Sequence, residues 1–432
     1  MPLIKQNSTE FQQALKTGRP PNITRLFPHS QALLVSGKFI DRAMRKKGKS
    51  ICMAANGRNH FVIRGALRAA QKANSALIIE IAKSEGGTGG YCAVNYWNIA
   101  RQVDAVCNEL GITVPVAVHA DHYTFKKKAD IEPAKVEIPS IFDAGITSIA
   151  IDASHLPDDD NLLANLELNR YIPDWAGLET EVGEIKGAEG LSTVEEALFL
   201  VQGLNAHEIF PNWIALNNGT SHGIQESDQG ILVDLTATIH KALEKYSIAG
   251  AQHGTSGNSS DRLREIAEDT YTTKANVATA LQMISWGVEV NDYGNARQDE
   301  NGDFIKLKGR GVTDELWNEM VAYAREKGLK GGNYKKLNLP FENKMHAQPA
   351  EIRERMVRGV EDFAYSMMVH VFDSNDSAPV VLEDILETGS HDPGPATQKI
   401  EREEEWTEEK IRQRAKSLFS GQQEPGKGNY ED

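Results

Sequence analysis

Histidines occur at three places in the chain that each follow a short apolar run. His119, Asp121 and His122 lie in the segment HADH, His222 lies in GTSHG, and His253 begins HGTSG. Any one of these histidines alone would also suit a hydrogen-bonded structural role. Because the chain has only 12 histidines in 432 residues, this concentration predicts a metal site. Three nitrogen ligands and an open position suit catalytic Zn²⁺, with Co²⁺ or Mn²⁺ as alternatives.

Three glutamates in the segment LETEVGEIKGAEG could act beside such a site. If the segment begins as a strand, alternation places Glu179 and Glu181 on the same face. The glycines that follow at 183, 187 and 190 would permit a mobile loop that carries Glu189. The pattern predicts carboxylates at the metal site, and a charged, solvated loop is the alternative.

Two glycine-rich segments could bind an anion. Gly254 and Ser256 lie between a predicted strand and a predicted helix at 259–268, so backbone N–H groups could form an anion nest at a helix N-terminus. The segment 219–223, which ends at Gly223, offers a similar turn. A simple turn is the alternative for each segment taken alone, but beside a metal site a cradle for a phosphate or carboxylate is the better interpretation.

Eight β-branched or aliphatic runs alternate with segments of helical spacing. The predicted strands are 51–55, 76–81, 114–118, 147–152, 176–181, 212–217, 248–252 and 287–291. The predicted helices include 60–73, 94–109, 158–170, 193–204, 229–245 and 275–285. This alternation favours parallel pairing and predicts an α/β fold, a (β/α)₈ TIM barrel. A doubly wound open sheet is the alternative, although the first strand ends in AANGRNH and not in the GxGxxG typical of that fold.

Polar residues follow every predicted strand. In barrels of this kind, catalytic groups come from the carboxyl ends of the strands and from the loops just after them. The residues at these ends are Asn56, Ser84, the HADH segment, Asp152, Glu181, Ser221 with His222, His253 and Asn291. We therefore expect a single polar site at this end of the barrel.

The remaining length is expected to surround the barrel. We predict an N-terminal leader of about forty residues and a barrel domain over 1–380 with an insertion at about 295–345. Apolar residues at three- to four-residue spacing after Pro349 predict an amphipathic helix that docks on the barrel. An acidic C-terminal extension over 381–432 should form a solvated helix and a frayed tail.

The chain is acidic, with 47 basic and 61 acidic residues and a formal net charge of −14. This balance argues against nucleic acid and other general polyanions as partners, while a local pocket for a phosphorylated metabolite stays compatible with it. Three cysteines without CxxC spacing indicate neither a disulfide framework nor a cysteine zinc site. Because the sequence has neither a signal-peptide pattern nor an apolar run of ~18 residues, we expect a cytoplasmic protein with no membrane partner.

The segments HADH, LETEVGEIKGAEG, GTSHG and HGTSG together resemble the signature segments of class II, metal-dependent fructose-bisphosphate aldolases. Their order and spacing agree with that family over about residues 40–295. The resemblance implies a (β/α)₈ barrel that assembles as a homodimer or homotetramer. It also implies zinc-dependent aldol cleavage of a ketose phosphate, with fructose 1,6-bisphosphate as the default substrate.

The resemblance also assigns roles to individual residues. It implies His122, His222 and His253 as zinc ligands, with Glu181 and Asp152 near an alternative metal position. It implies Asp121 as the acid/base group and Glu189 as the proton-transfer group of a mobile loop. Substrate contacts would come from Asn56, Ser84 and Asn291, and the phosphate cradle from Gly223, Gly254 and Ser256.

Two segments differ from the family pattern. Where the family has Asn-Ile-Asp-Thr-Asp in strand eight, this chain has the segment 291–295, NDYGN. The Asp-Pro-Arg segment of the family corresponds to Gln348-Pro349-Ala350, with Arg353 and Arg355 slightly later. Two alternatives therefore remain. One is an aldolase that acts on a different ketose phosphate, such as a monophosphate, and the other is a non-catalytic relative that binds a sugar phosphate. A Schiff-base aldolase would need a lysine inside the barrel, for which Lys83 is the nearest candidate.

Overall fold

Eight parallel strands form a closed barrel in the computed structural model, which describes residues 3–183, 190–219, 230–291 and 294–419. Each strand pairs with the next along the chain, and the eighth pairs with the first. The strands are β1 Cys52–Asn56, β2 Leu77–Ala82, β3 Val116–Thr124, β4 Ser148–Asp152, β5 Gly177–Val182, β6 Trp213–Leu216, β7 Ala249–Gln252 and β8 Thr272–Val277. The predicted TIM barrel is confirmed.

Helices follow the strands and form the outer layer. They are α1 Thr9–Thr17, α2 Pro21–Leu26, α3 Gly37–Lys47, α4 His60–Ala73, α5 Lys83–Gly86, α6 Ile99–Leu110, α7 Ile131–Asp143, α8 Asp158–Leu168, α9 Val194–Ala206, α10 Val233–Leu243, α11 Ser260–Asp269, α12 Thr279–Trp286, α13 Asp314–Glu326, α14 Asn338–His346, α15 Ala350–Ser366, α16 Ala378–Thr388 and α17 Glu408–Phe419. None of the helices in these described ranges is long and apolar enough to cross a membrane.

Alternation along the strands separates two cores. Met53, Ile79 and Val118 belong to the large cluster between the sheet and the outer helices. Cys52 and Ala54, which have the other parity, belong to a second cluster inside the barrel. The α3 helix contributes to this inner cluster, and a Cβ on Gly37 would lie 2.9 Å from the Ser148 Cβ at the start of β4. The last helix of the leader therefore closes the amino end of the barrel and leaves the carboxyl end for the site.

The predicted position of strand eight was wrong. The eighth strand is Thr272–Val277, and the run 287–291 instead takes part in isolated bridges, such as the antiparallel bridge between Val288 and Lys306. The sequence did not predict this strand, because its residues TTKANV lack an apolar run. Its interior-facing residues include the polar side chains of Lys274 and Asn276. Consequently, Asn291 does not lie at a strand end.

The chain after β8 packs on one side of the barrel. The α13 and α14 helices share a separate apolar cluster with Trp286 and Phe304. The helix expected after Pro349 is α15, which packs against α4, and the close approach of the two helices occurs at Gly65, where a Cβ would lie 2.6 Å from the Val360 Cβ. The α17 helix is more than a solvated helix, because Ile411 is buried in the large cluster between sheet and helices.

Candidate active site

Five polar side chains predicted for the site are buried at the carboxyl ends of their strands. They come from β1, β3, β4, β5 and the residue just after β7, and they are Asn56, Asp121, Asp152, Glu181 and His253. Their ring and carboxylate atoms lie where the barrel opens, so the barrel brings together residues that are up to about 200 positions apart in the chain. The fold thereby concentrates metal-binding side chains on one rim.

His122 owes its position to an irregularity in β3. The register of β3 with β4 shifts between Ala120 and Tyr123, and His122 in this bulge has a positive φ of +38°. Its Nδ1 lies 3.2 Å from Glu181 Oε1 and 3.3 Å from Asp152 Oδ2. The bulge thus aims an imidazole at carboxylates from two neighbouring strands.

His253 is oriented by a hydrogen bond to a carboxylate of β5. Its Nε2 lies 2.7 Å from Glu179 Oε1, and its ring centroid lies 4.2 Å from that of His122. Its Nδ1 is buried without a hydrogen-bond partner among the described residues and lies 3.9 Å from Glu181 Oε2. A carboxylate that accepts from one ring nitrogen and leaves the other for a cation is the usual environment of a metal-bound histidine.

These donors fit a divalent metal ion. Asp121, His122 and His253 each place one ligand atom within 4.8 Å of the others, and His122 forms a second such group with Asp152 and Glu181. Burial alone would lower the pKa of His122, but the Glu181 and Asp121 carboxylates raise it well above its usual value. The site therefore stabilises positive charge at this position, as a cation site must.

Asp121 is held as a carboxylate beside the metal-binding donors. Asn276 Nδ2 donates to its Oδ1 over 3.0 Å, and Lys274 Nζ lies 3.5 Å from the same oxygen. Burial alone would raise the pKa of Asp121, but the charge of Lys274 and the nearby histidines lowers it below the usual range. An ionised carboxylate in this position can accept a proton from a substrate hydroxyl.

The loop after β7 has the backbone of an anion cradle. Gly254 has a φ of +62°, and the loop leads to α11, whose first turn is capped by Ser259. Ser256 is half-buried on this loop, and the Cβ that Gly294 lacks would lie 3.8 Å from its Cα. Asn291 lies nearby in a turn in which its Oδ1 accepts from the Asn295 N–H over 2.9 Å, so its side chain supports this turn.

Two other predicted contacts have different environments. Asn56 is buried and donates to Glu85, whereas Ser84 is exposed in the short helix α5 just after β2. The predicted ligand His222, the predicted cradle residue Gly223 and the predicted proton-transfer residue Glu189 lie outside the described residues.

The family model for fructose-bisphosphate aldolase class II matches residues 38–328, which include the whole barrel. The chain belongs to the class II fructose-bisphosphate aldolase family. It is therefore a carbon–carbon lyase of a family that is in general metal-dependent.

Relatives with the aldolase name are similar at modest identity. A fructose-bisphosphate aldolase of Streptococcus pyogenes serotype M3 is 28% identical over 261 residues, which cover 58% of this chain and 80% of the relative. One from Staphylococcus aureus strain Mu50 is 32% identical over 124 residues, which cover 28% of this chain and 39% of the relative.

Solved aldolase structures share the fold. The YdjI aldolase from Escherichia coli K12 covers 80% of this chain and 99% of its own, with a TM-score of 0.52 and 16% identity. The fructose-bisphosphate aldolase from Campylobacter jejuni covers 80% of this chain and 97% of its own, with a TM-score of 0.52 and 18% identity.

A buried ionic cluster that the sequence did not predict lies beneath the aldolase site. Lys274 Nζ lies 2.9 Å from Glu179 Oε2 and 3.3 Å from Glu80 Oε2, and all three side chains are fully buried. Burial alone would lower the pKa of Lys274, but Glu179, Glu80 and Asp121 raise it above its usual value. The alternation of Glu179 with Glu181 hinted at this cluster, but Lys274 lay on the strand that was misplaced.

The position of Lys274 also corrects the expectation for a Schiff-base lysine. Lys83 is the nearest candidate from the sequence, and its Nζ lies 4.1 Å from the ring centroid of Tyr123, which belongs to the large cluster between the sheet and the outer helices. Lys274 lies inside the barrel, and its surrounding carboxylates keep it protonated. A protonated amine is not nucleophilic, so this lysine is unsuited to covalent attack on a ketone.

Proposed function

We propose that this aldolase is zinc-dependent and reversibly cleaves a ketose phosphate, with fructose 1,6-bisphosphate yielding dihydroxyacetone phosphate and glyceraldehyde 3-phosphate. The observation that carries the proposal is the convergence of His122 and His253 around carboxylates, with Asp121 adjacent. His222 would be the third nitrogen ligand, and Co²⁺ or Mn²⁺ could replace zinc in such a set. Glu181 and Asp152 would serve an alternative metal position beside His122.

The residues of the chain would divide the chemistry between proton transfer and orientation. When bound, zinc supplies a Lewis acid that polarises the substrate ketone. Asp121, ionised and held by Asn276, would accept the proton of the C4 hydroxyl as the C3–C4 bond breaks. Glu189 would exchange the C3 proton of the dihydroxyacetone phosphate half. Gly254 and Ser256, together with Gly223, would orient the phosphate through backbone and hydroxyl groups.

A different ketose phosphate is the alternative substrate. Arg355, one of the two arginines nearest the family's second-phosphate position, donates to the carbonyl oxygens of Gly311 and Val312 within its own chain. Arg353 is exposed and lines an outer groove beside His60 and His346. The engagement of Arg355 within its own chain supports a substrate with one phosphate, while the exposed Arg353 stays available to a second phosphate. The segment 291–295 gives no support to either substrate, because it is not the eighth strand. A non-catalytic sugar-phosphate-binding relative is the second alternative.

The proposal extends to the assembly and the compartment. We infer a cytoplasmic homodimer or homotetramer whose partner is a small sugar phosphate. The net charge of −14 supports the absence of nucleic acid among its partners.

A retro-aldol assay tests the proposal. Zinc-loaded protein should release an aldehyde from fructose 1,6-bisphosphate or from one of a panel of ketose monophosphates, and excess EDTA should abolish the activity until zinc is returned. Full activity in the metal-free protein would contradict the proposal. Binding of sugar phosphate without release of any aldehyde would support the non-catalytic alternative.

A further inference from the structure

The side-chain amide of Asn56 is held from one side only. Asn56 follows Cys52 and Ala54 on the face of β1 that points into the barrel. Its Nδ2 donates to Glu85 Oε2 over 2.6 Å. Its Oδ1 is buried and has no hydrogen-bond partner within the described part of the chain. A buried acceptor without a partner is costly unless a ligand supplies the donor.

Glu85 determines which way this amide faces. Burial alone would raise the pKa of Glu85, but Arg58 lowers it below its usual value, so the side chain is a carboxylate. An ionised carboxylate only accepts hydrogen bonds, so it requires the NH₂ group of Asn56 on its side. The carbonyl oxygen Oδ1 must then face away from Glu85.

Four donors besides Asn56 fix the position of the Glu85 carboxylate. Its Oε2 accepts from the Ala82 N–H over 3.0 Å, and its Oε1 accepts from Tyr91 over 3.3 Å. Arg58 Nε and Nη2 lie 2.7 Å and 2.6 Å from Oε1. Both charged side chains are more than nine-tenths buried, so the pair is shielded from solvent screening.

The same network reaches the chain that follows the barrel. Arg58 Nη1 donates to Gln282 Oε1 over 3.2 Å, and Asn338 Nδ2 donates to the same oxygen over 2.9 Å. Asn338 is fully buried at the start of α14. An element outside the eight barrel units thus supports the orientation of a side chain inside the barrel.

We propose that Glu85 is a positioning residue that turns the Asn56 carbonyl oxygen toward the substrate, where it accepts a hydrogen bond from a substrate hydroxyl. The inference rests on the proposed function, because it takes a ketose phosphate as the ligand. Ketone and phosphate oxygens are acceptors and cannot pair with Oδ1, whereas sugar hydroxyls are donors. Asn56 therefore selects for a hydroxyl and not for a phosphate.

Deoxy substrates test the inference. We would compare kcat/KM for a cleaved ketose phosphate with values for analogues that lack the hydroxyl at C3, C5 or C6. Wild-type protein should lose roughly tenfold with one of these analogues. Asn56→Ala should lose a similar factor with the parent substrate and nothing further with that analogue. An equal effect of Asn56→Ala on every analogue would overturn the inference.

The Glu85 variants separate positioning from folding. Glu85→Leu, which removes the acceptor of the Asn56 NH₂ group, should lose most of the discrimination between parent and deoxy substrate. Because this variant leaves the Arg58 charge buried alone, the double variant Glu85→Leu/Arg58→Met removes both charges and should show the same loss. Glu109→Gln is the matched control, since it removes the exposed carboxylate that pairs with Arg64 and should keep the discrimination. Unchanged discrimination in both Glu85 variants would also overturn the inference.

A second measurement tests the positioning role of Glu85 without any cleavage assay. If no ketose phosphate is cleaved but this measurement gives the expected result, the proposed function fails and the positioning role of Glu85 stands. The Asn56 side-chain NH₂ resonance can be assigned by its loss in Asn56→Ala. A short hydrogen bond to a carboxylate should place this resonance downfield in wild type and in Glu109→Gln, and Glu85→Gln should move it upfield. An unmoved resonance would contradict the positioning role of Glu85.

Discussion

His253 and Glu179 form a 2.7 Å hydrogen bond that joins the metal site to the interior of the barrel. The bond occupies Nε2 of the imidazole and leaves Nδ1 on the side of Glu181. Glu179 also pairs with Lys274, so the orientation of one metal-binding side chain depends on the charge cluster beneath it.

Glu179→Gln should weaken zinc binding without removing a ligand. The neutral amide holds the His253 ring less firmly in the orientation that binds the metal, so we expect a zinc dissociation constant higher by about 10- to 100-fold. Competitive titration with a chromophoric chelator measures the constant. The exposed Glu109→Gln serves as the control and should bind zinc as the wild type does. Equal affinities in both variants would contradict the role of Glu179.

Asp121→Asn should separate proton transfer from metal binding. The amide cannot accept the hydroxyl proton, so kcat for retro-aldol cleavage should fall by about 10²- to 10⁴-fold. Bound zinc, measured by atomic emission, should stay near one per chain as long as the histidine ligands are intact. The control Asp143→Asn changes an exposed carboxylate that pairs with Arg25 and should retain full activity. A drop of Asp121→Asn activity by less than tenfold would exclude Asp121 as the proton acceptor.

Borohydride should not trap a substrate on this protein. Lys274 is protonated within its carboxylate cluster, so intact-mass analysis after incubation with substrate and borohydride should show an unmodified chain. Lys274→Met should instead lower the free energy of unfolding by about 3–5 kcal/mol, because the Glu179 carboxylate loses its buried counter-charge. An adduct that disappears in Lys274→Met would favour the Schiff-base mechanism.

The contribution of Glu85 to stability should depend on pH. Its pKa in the folded protein lies below the ordinary value of ~4.3, so folding gains stability from its charge above that pH and loses it as pH falls through the folded-state pKa. Denaturant unfolding of wild type and Glu85→Gln should differ by about 3–5 kcal/mol at pH 7. The difference should shrink below pH ~4. A difference that stays constant with pH would show that the charge of Glu85 is not responsible.

Gly65→Ala should loosen the contact between α4 and α15. The new methyl group would lie 2.6 Å from the Val360 Cβ and 2.8 Å from the Val357 carbonyl oxygen, so the helices must separate. We expect a loss of about 1–3 kcal/mol in the free energy of unfolding. The control Gly332→Ala faces open space and should stay within about 0.5 kcal/mol of wild type. An unchanged Gly65→Ala protein would mean that the two helices pack more loosely than the structure shows.

The sequence predicted the barrel because its surface helices and most strands carry strong apolar patterns. The α4 helix was predicted at its observed limits, since Asn59 caps its start and apolar residues recur along one face. The β8 strand was not predicted, because Lys274 and Asn276 face the barrel interior and the strand lacks the apolar run that marks a buried strand. Partnerships such as Glu85 with Asn56 were beyond prediction, because they depend on the register of neighbouring strands and not on local pattern.

The charge cluster around Lys274 constrains how this aldolase can diverge. Lys274 lies on β8, while its partners Glu80 and Glu179 lie on β2 and β5, which are two and three strands away around the barrel. Replacement of Lys274 alone leaves the Glu179 carboxylate buried without its cation, so this change should be tolerated only together with a change of Glu179. Glu179 and Lys274 should therefore change together across descendants, even though they lie 95 positions apart in the chain (274 minus 179).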